Sequence, residues 1–152
     1  FKEKGTPYIF DPGQSIPAMT AADMVEMITD AEILISNDYE LELIKKASGL
    51  QKDEILQKTK SVITTLGEHG AIVASDGNEI EISAARAMKL QDPTGAGDAF
   101  RAGLIKGLAM KKDLAESARM GAVCASFAVE KHGTQEHCFT MDDFRKRYAQ
   151  NF

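Results

Sequence analysis

The sequence predicts an α/β protein built on a mostly parallel sheet with helices on both faces. Three observations carry that reading. Short apolar runs alternate with helix-period segments along the chain, the runs have the uniformly apolar character of strands covered on both faces, and helix start signals follow them at short spacing. With 152 residues, 43% of them apolar, the chain has the size of one domain, or part of a larger one, and can fill a core.

The elements follow in order. "FKEKG" reads as the end of a helix, with lysines in the last turn and Gly5 as its stop, yet no beginning precedes it. "TPYIFDPG" is a short apolar run closed by an acid and turn residues, a buried strand, and Thr20-Ala21-Ala22-Asp23 opens a helix carrying Met24, Met27 and Ile28. "AEILIS" is a second strand ending at Asn37. Leu41, Leu43 and Ile44 follow on a helix closed near Gly49, and a short helix covers roughly 52–59. "SVITTL" is a third strand. "GAIVAS", the turn Asp76-Gly77-Asn78 and "EIEIS" form a hairpin, because a polar glycine-containing turn joins two strand-forming runs. "ARAMKL" leads, extended, into "DPTGAGDAF" at 92–100. Two long helices follow, Gly97 to about Met110 and Asp113 to about Val129, then a loop and a last helix opened by Thr140-Met141-Asp142-Asp143. There is no internal repeat, low-complexity tract or linker.

Charge and composition exclude several classes. The net charge is -5 and the pI is near 5.2, with the 18 Lys and Arg scattered and no basic stripe, so nucleic acid is not an expected partner. No apolar run approaches the ~18 to 20 residues of a membrane span, and the start has no signal-peptide layout. The cytoplasm is the expected compartment. Cys124 and Cys138 form no CxxC pair and the three histidines are dispersed, which predicts free thiols and no structural metal.

The chemistry concentrates in "DPTGAGDAF". Two glycines one residue apart at a loop-to-helix junction let successive N–H groups face one point, where the positive end of the helix dipole adds its field. Such a turn binds phosphate, and Asp98 falls in the first helical turn beside it. Two readings of Asp98 stand. It can complement the helix dipole next to an ordinary tight turn. Or it can take a proton from a hydroxyl attacking the phosphate, while the glycine amides and a magnesium ion stabilise the transferring group. A dinucleotide fingerprint needs a third glycine where Phe100 stands, and a Walker A loop needs a Gly-Lys step that the sequence lacks.

Residues 92–105, "DPTGAGDAFRAGLI", resemble the C-terminal signature of the ribokinase-like (phosphofructokinase B) family of sugar and nucleoside kinases. The resemblance implies that Asp98 is the catalytic base and that the amides of Gly95, Ala96 and Gly97 form the anion hole. It implies the family's three-layer α/β/α fold, of which residues 1–152 would be the C-terminal nucleotide-binding and catalytic portion, without the N-terminal half and its substrate lid. Asn37-Asp38-Tyr39-Glu40 is similar to the family's N-x-x-E element, which places Asn37 at the nucleotide and Glu40 on Mg2+ through water. The same four residues also make a helix N-cap box. "TLGEHGA", 65–71, resembles the strand-turn-strand lining the nucleotide site, which adds Thr65, Gly67 and Gly70, and is otherwise a glycine-rich turn.

Further positions follow from the same resemblance. Asp92, Thr94, Val129, His132 and Thr134 match a monovalent-cation site, K+ being the candidate ion, held mostly by backbone carbonyls. His132-Gly133 is otherwise a helix-stop turn. "FDPGQSIP" (10–17) and "AVEKHGTQEH" (128–137) lean toward adenosine-kinase-like bacterial members, and Ala122 stands where ribokinases tend to place His or Asn near the adenine.

The expected function is therefore ATP- and magnesium-dependent phosphoryl transfer to a hydroxyl of a small-molecule sugar or nucleoside, with an adenosine-like acceptor favoured. The nucleotide is expected at the carboxyl ends of the strands, between 65–70 and the 95–98 turn. The 152 residues alone are expected to be inactive. The apolar edge at "PYIF" calls for a neighbour, from the family's other half or from a second copy as a homodimer. Two alternatives belong to other classes: a nucleotide-binding module without catalysis, which needs no base at Asp98, and a dinucleotide-dependent oxidoreductase, disfavoured by Phe100.

Overall fold

The computed structural model describes residues 2–152; Phe1, first residue of the expected helix end, lies outside the described residues. Lys2–Lys4 form a single 3-10 turn, and Gly5 closes it at φ +61°, its N–H donating to the Lys2 carbonyl at 2.9 Å. The chain divides into two compact units, Phe1–Leu66 with Ile72–Ile80, and Gly67–Ala71 with Glu81–Phe152.

The alternation of strand and helix is realised as β1 (Ile9–Phe10), α1 (Ala21–Ile28), β2 (Ile33–Asn37), α2 (Asp38–Ser48), α3 (Lys52–Leu56), β3 (Ser61–Thr65), β4 (Ala71–Ser75) and β5 (Asn78–Ile82). They form one five-stranded sheet in the order β1-β2-β3-β4-β5. β2 runs parallel to both β1 and β3, with Leu34 opposite Phe10 on one side and Val62 on the other. Ile33 to Ser36 are all buried, the signature of a parallel strand covered on both faces. In contrast β5 is exposed from Asn78 to Glu81, and its glutamates suit a sheet edge. Asp76 and Gly77 join β4 to β5 at φ +50° and +74°, the two positive values that a two-residue type I′ hairpin requires.

Each helix start has a local cause. Thr20 accepts from the Asp23 amide while Asp23 accepts from the Thr20 amide, a reciprocal box that opens α1. Asn37 and Glu40 do the same for α2, and Gly49 ends that helix in the left-handed region at φ +75°. The apolar faces of these helices supply the first core: Met24 and Ile28 from α1, Leu41 and Ile44 from α2 and Ile55 from α3 cluster with Phe10, Leu34 and Val62 of the strands.

Two expectations need revising. The first strand is only two residues long; the chain after Pro12 turns instead into a 3-10 helix, Gly13–Ala18, which buries Ile16. The short helix expected to reach residue 59 ends at Leu56, because Lys58 and Thr59 bond back to the Ile55 carbonyl and the Thr59 hydroxyl donates to the Ala31 carbonyl at 2.7 Å. Residues 83–93 have no regular structure and draw their backbone partners from elsewhere in their unit.

The second unit is dominated by α4 (Ala96–Ala109), α5 (Leu114–Ala128) and α6 (Met141–Asn151). α4 and α5 meet backbone on backbone. A Cβ placed on Gly103 would lie 2.6 Å from the Met120 carbonyl oxygen, and one on Gly121 would lie 2.7 Å from that of Phe100. Ala99, Phe100, Leu104, Ala118 and Val123 fill the remaining buried space of the pair. α6 is opened by the expected Thr140–Asp143 box, and its Phe144 stacks in a line with Phe139 and Phe127.

Candidate active site

The 92–98 segment is built from both of its ends. Asp92 Oδ1 accepts from the Thr94 amide and Oδ2 from the Gly133 amide, each at 2.9 Å. Those bonds, the Gly133 amide first and then the Thr94 hydroxyl and amide, hold the Asp92 carboxyl at about 2, below its ordinary value of 3.8. His132 Nδ1 lies 3.9 Å from the same carboxylate on an exposed ring, a looser contact. Gly95 then caps α4 at φ +83°, and a Cβ there would meet the Thr134 Cα and carbonyl oxygen at 2.9 Å. The glycine is required twice, by its dihedral and by the strand of chain behind it.

The amides ahead of the α4 ladder are the chemically available ones. Ala99 N–H begins the ladder by donating to the Gly95 carbonyl at 3.0 Å, and the Ala96 N–H closes a turn onto the Pro93 carbonyl at 3.1 Å. This leaves the Gly97 and Asp98 amides as first-turn donors at the positive helix end. Asp98 itself is in that first turn with a side chain 81% exposed, and Arg101 Nη1 stands 3.4 Å from its Oδ1. A Cβ on Gly97 would lie 2.8 Å from that same Nη1, so the absence of a side chain at Gly97 is what seats the guanidinium. Arg101 was not singled out from the sequence; its i+3 spacing from Asp98 was the available signal.

The positions matched to a cation gather within this unit. Asp92 is linked to the 129–134 loop at two points: its N–H, together with that of Gln91, donates to the Val129 carbonyl at 3.2 and 2.8 Å, and its carboxylate takes the Gly133 amide. Thr134 backs Gly95. Gly133 is in the left-handed region at φ +87°, but α5 already ends at Ala128 with Val129 as its cap, so His132-Gly133 is a loop turn beyond the helix and not its stop. The five residues thus lie on two segments, 92–94 and 129–134, that these bonds tie together, although the Val129 carbonyl already accepts two amides.

The remaining positions have the following settings. In the first unit, Asn37 and Thr65 are register partners at the carboxyl ends of β2 and β3. Asn37 Oδ1 accepts the Glu40 amide at 2.7 Å and Glu40 Oε2 accepts the Asn37 amide at 2.9 Å, so the N-cap box is formed. In the second unit, Gly67 opens the 3-10 turn Gly67–His69 at φ +58°. Gly70, at φ +92°, presses on the chain after β5: a Cβ there would be 2.0 Å from the Ile82 carbonyl oxygen. Gly70 therefore has a structural reason to be glycine irrespective of any ligand. Ala122 is buried within α5.

An α/β sheet protein whose glycine turn opens a helix with an acid in its first turn belongs to a recognisable class, and residues 1–140 match the model of the pfkB family carbohydrate kinases. The chain belongs to that family. It is 34% identical over 138 residues to a nucleoside kinase of Methanocaldococcus jannaschii, covering 91% of this chain and 46% of that protein. The nucleoside kinase of Burkholderia thailandensis superposes with a TM-score of 0.95 at 35% identity, over 99% of this chain and 50% of that one, in its complex with inosine. The same enzyme has also been solved with ADP-inosine. The ribokinase of Arabidopsis thaliana complexed with ribose and ATP gives a TM-score of 0.79 at 26% identity, over 97% of this chain and 49% of that one. The fold is ribokinase-like, and the chain spans about half the length of the relatives it matches.

Proposed function

We propose that this chain carries the nucleotide-binding and catalytic portion of an ATP-dependent kinase that phosphorylates a hydroxyl of a nucleoside. The observation that supports it most is the 92–98 turn. A left-handed Gly95 backed by Thr134 delivers the Gly97 and Asp98 amides and an exposed acid to one helix end. Asp98 takes the proton of the acceptor hydroxyl as its oxygen bonds to the γ-phosphorus, while the bond from that phosphorus to the β,γ-bridging oxygen breaks and ADP leaves. The amides of Gly95, Ala96 and Gly97 stabilise the charge on the transferring group, Ala96 after releasing its bond to Pro93. Glu40 would hold Mg2+ through water, and the ion, when bound, would supply charge neutralisation at the phosphates. Asn37, Thr65, Gly67 and Gly70 serve the nucleotide. K+ suits the oxygens of Asp92, Thr94, Val129, His132 and Thr134, a set of hard donors that fixes the loop behind the turn.

The acceptor is a purine nucleoside, adenosine or inosine. The relatives named nucleoside kinases and the inosine complex support this over a free sugar. The test is Asp98→Asn in the full-length protein. Phosphorylation of inosine or adenosine should fall by ~10² to 10⁴, the usual cost of losing a general base, while ATP binding measured by calorimetry stays close to that of the unmodified protein. Near-normal turnover in the variant overturns the base assignment. ATP binding with no turnover in the unmodified protein points to a non-catalytic nucleotide module.

A further inference from the structure

Residues 83–93 approach the glycine turn without regular structure, so something else must fix where that turn sits. The two residues that follow α5 do so. Glu130 Oε1 accepts the Met88 amide at 2.6 Å, the Glu130 carbonyl accepts the Gln91 side-chain amide at 2.7 Å, and the Val129 carbonyl accepts the Gln91 and Asp92 amides. The Glu130 carboxylate is itself held by a buried cation. Arg147 of α6 places Nη1 2.9 Å from Oε1 and Nη2 3.3 Å from Oε2. The guanidinium is fixed in turn by the Ser126 hydroxyl at 3.1 Å and by the Phe127 ring 3.5 Å beneath it. The two side chains are 17% and 10% exposed.

A pair this buried stabilises a fold no better than apolar residues of the same size, because both charges give up their water. What it supplies that apolar residues cannot is an acceptor in a fixed place for the Met88 N–H. We infer that Glu130, oriented by Arg147, is a positioning residue for the phosphate-binding turn. It sets the path of 88–92, and through Asp92 and the Thr134–Gly95 contact it sets where the Gly97 and Asp98 amides point. Neither residue touches the reacting atoms. The inference deepens the kinase reading and rests on it for its catalytic consequence, but the loop anchoring is measurable without turnover.

The experiment uses the full-length protein with inosine or adenosine as acceptor, together with hydrogen exchange of the peptide covering 86–97. The double variant Glu130→Ala/Arg147→Met removes both charges, so no orphan charge remains buried. It should lose on the order of 10- to 100-fold in kcat, as a misplaced reacting group does, with KM for ATP changed less than about 3-fold. Exchange at 86–97 should rise while peptides of α1 and β2 stay unchanged. A double variant with unmodified kcat and unmodified exchange at 86–97 overturns the inference, as does an effect confined to KM. Should the double variant fail to fold by circular dichroism, Arg147→Lys takes its place with the same readouts. If the unmodified protein transfers no phosphoryl group, the kinase reading fails by itself and exchange alone decides the anchoring.

Discussion

Glu40 carries two expectations that one titration separates. Its Oε2 accepts the Asn37 amide and completes the box that starts α2. As a water-mediated magnesium contact it would matter through its charge. Glu40→Gln preserves an acceptor for the box but removes that charge, so the magnesium concentration needed for half-maximal phosphoryl transfer should rise several-fold. A cap role alone should leave the magnesium curve unmoved and lower thermal stability by ~0.3–1 kcal/mol through the helix dipole. The two cysteines make a second residue-scale contrast. Burial on α5 pushes the Cys124 thiol up to about 11, whereas Cys138 lies exposed in the loop before α6. Thiolate is the reactive form, so at mildly alkaline pH a thiol reagent should label Cys138 rapidly and Cys124 only slowly in the folded protein. Equal labelling rates would contradict this burial.

At the scale of elements, the helix pair α4–α5 is the most exacting part of the second unit. Gly121→Ala drives a methyl toward the Phe100 carbonyl oxygen at 2.7 Å and the Phe100 ring at 3.0 Å. It should cost ~1–3 kcal/mol in urea unfolding, as overpacking does. α6 depends instead on its cap. Asp143 accepts from the Thr140 hydroxyl at 2.6 Å and the Thr140 amide at 2.9 Å, and those two bonds, in that order, lower its carboxyl below 3.8. A carboxyl lowered in the folded state adds stability that is complete above its ordinary value and is lost as pH falls through the lowered one. Acidification below about pH 4 should therefore loosen α6, seen as faster exchange of its first-turn amides, and Asp143→Asn should remove that pH dependence. The caps that set these elements were legible as residue patterns at Thr20, Asn37 and Thr140, since each bond lies within four residues. The 3-10 turn at Gly13–Ala18, the early end of α3 and the seating of Arg101 were not. They are decided by contacts distant in sequence, such as Thr59 to Ala31, or by the room left at Gly97.

At the scale of the molecule, the net charge of -5 predicts no retention on a DNA or heparin column at neutral pH and lowest solubility near the pI of about 5.2. Binding to either column at physiological salt would run against that charge balance. The overall α/β alternation and the glycine turn could be read from the sequence because each is a local pattern. The anchoring of 88–92 by Glu130 and Arg147 could not, since it joins segments 17 and 42 residues apart that carry no shared motif. The helix pair brings a last consequence, for how such a protein diverges. At Gly103 the obstructing atoms are the Met120 carbonyl and the Gly121 Cα, and at Gly121 the nearest is the Phe100 carbonyl. None of these backbone atoms can be trimmed by a mutation elsewhere. A larger residue at either glycine thus has no single compensating change on the facing helix, and drift there needs the helices themselves to move apart. Such a move would displace Asp98 at the head of α4. The glycines of this seam should therefore be among the slowest positions to vary between descendants that keep the same chemistry, while the exposed β5 edge is free to change.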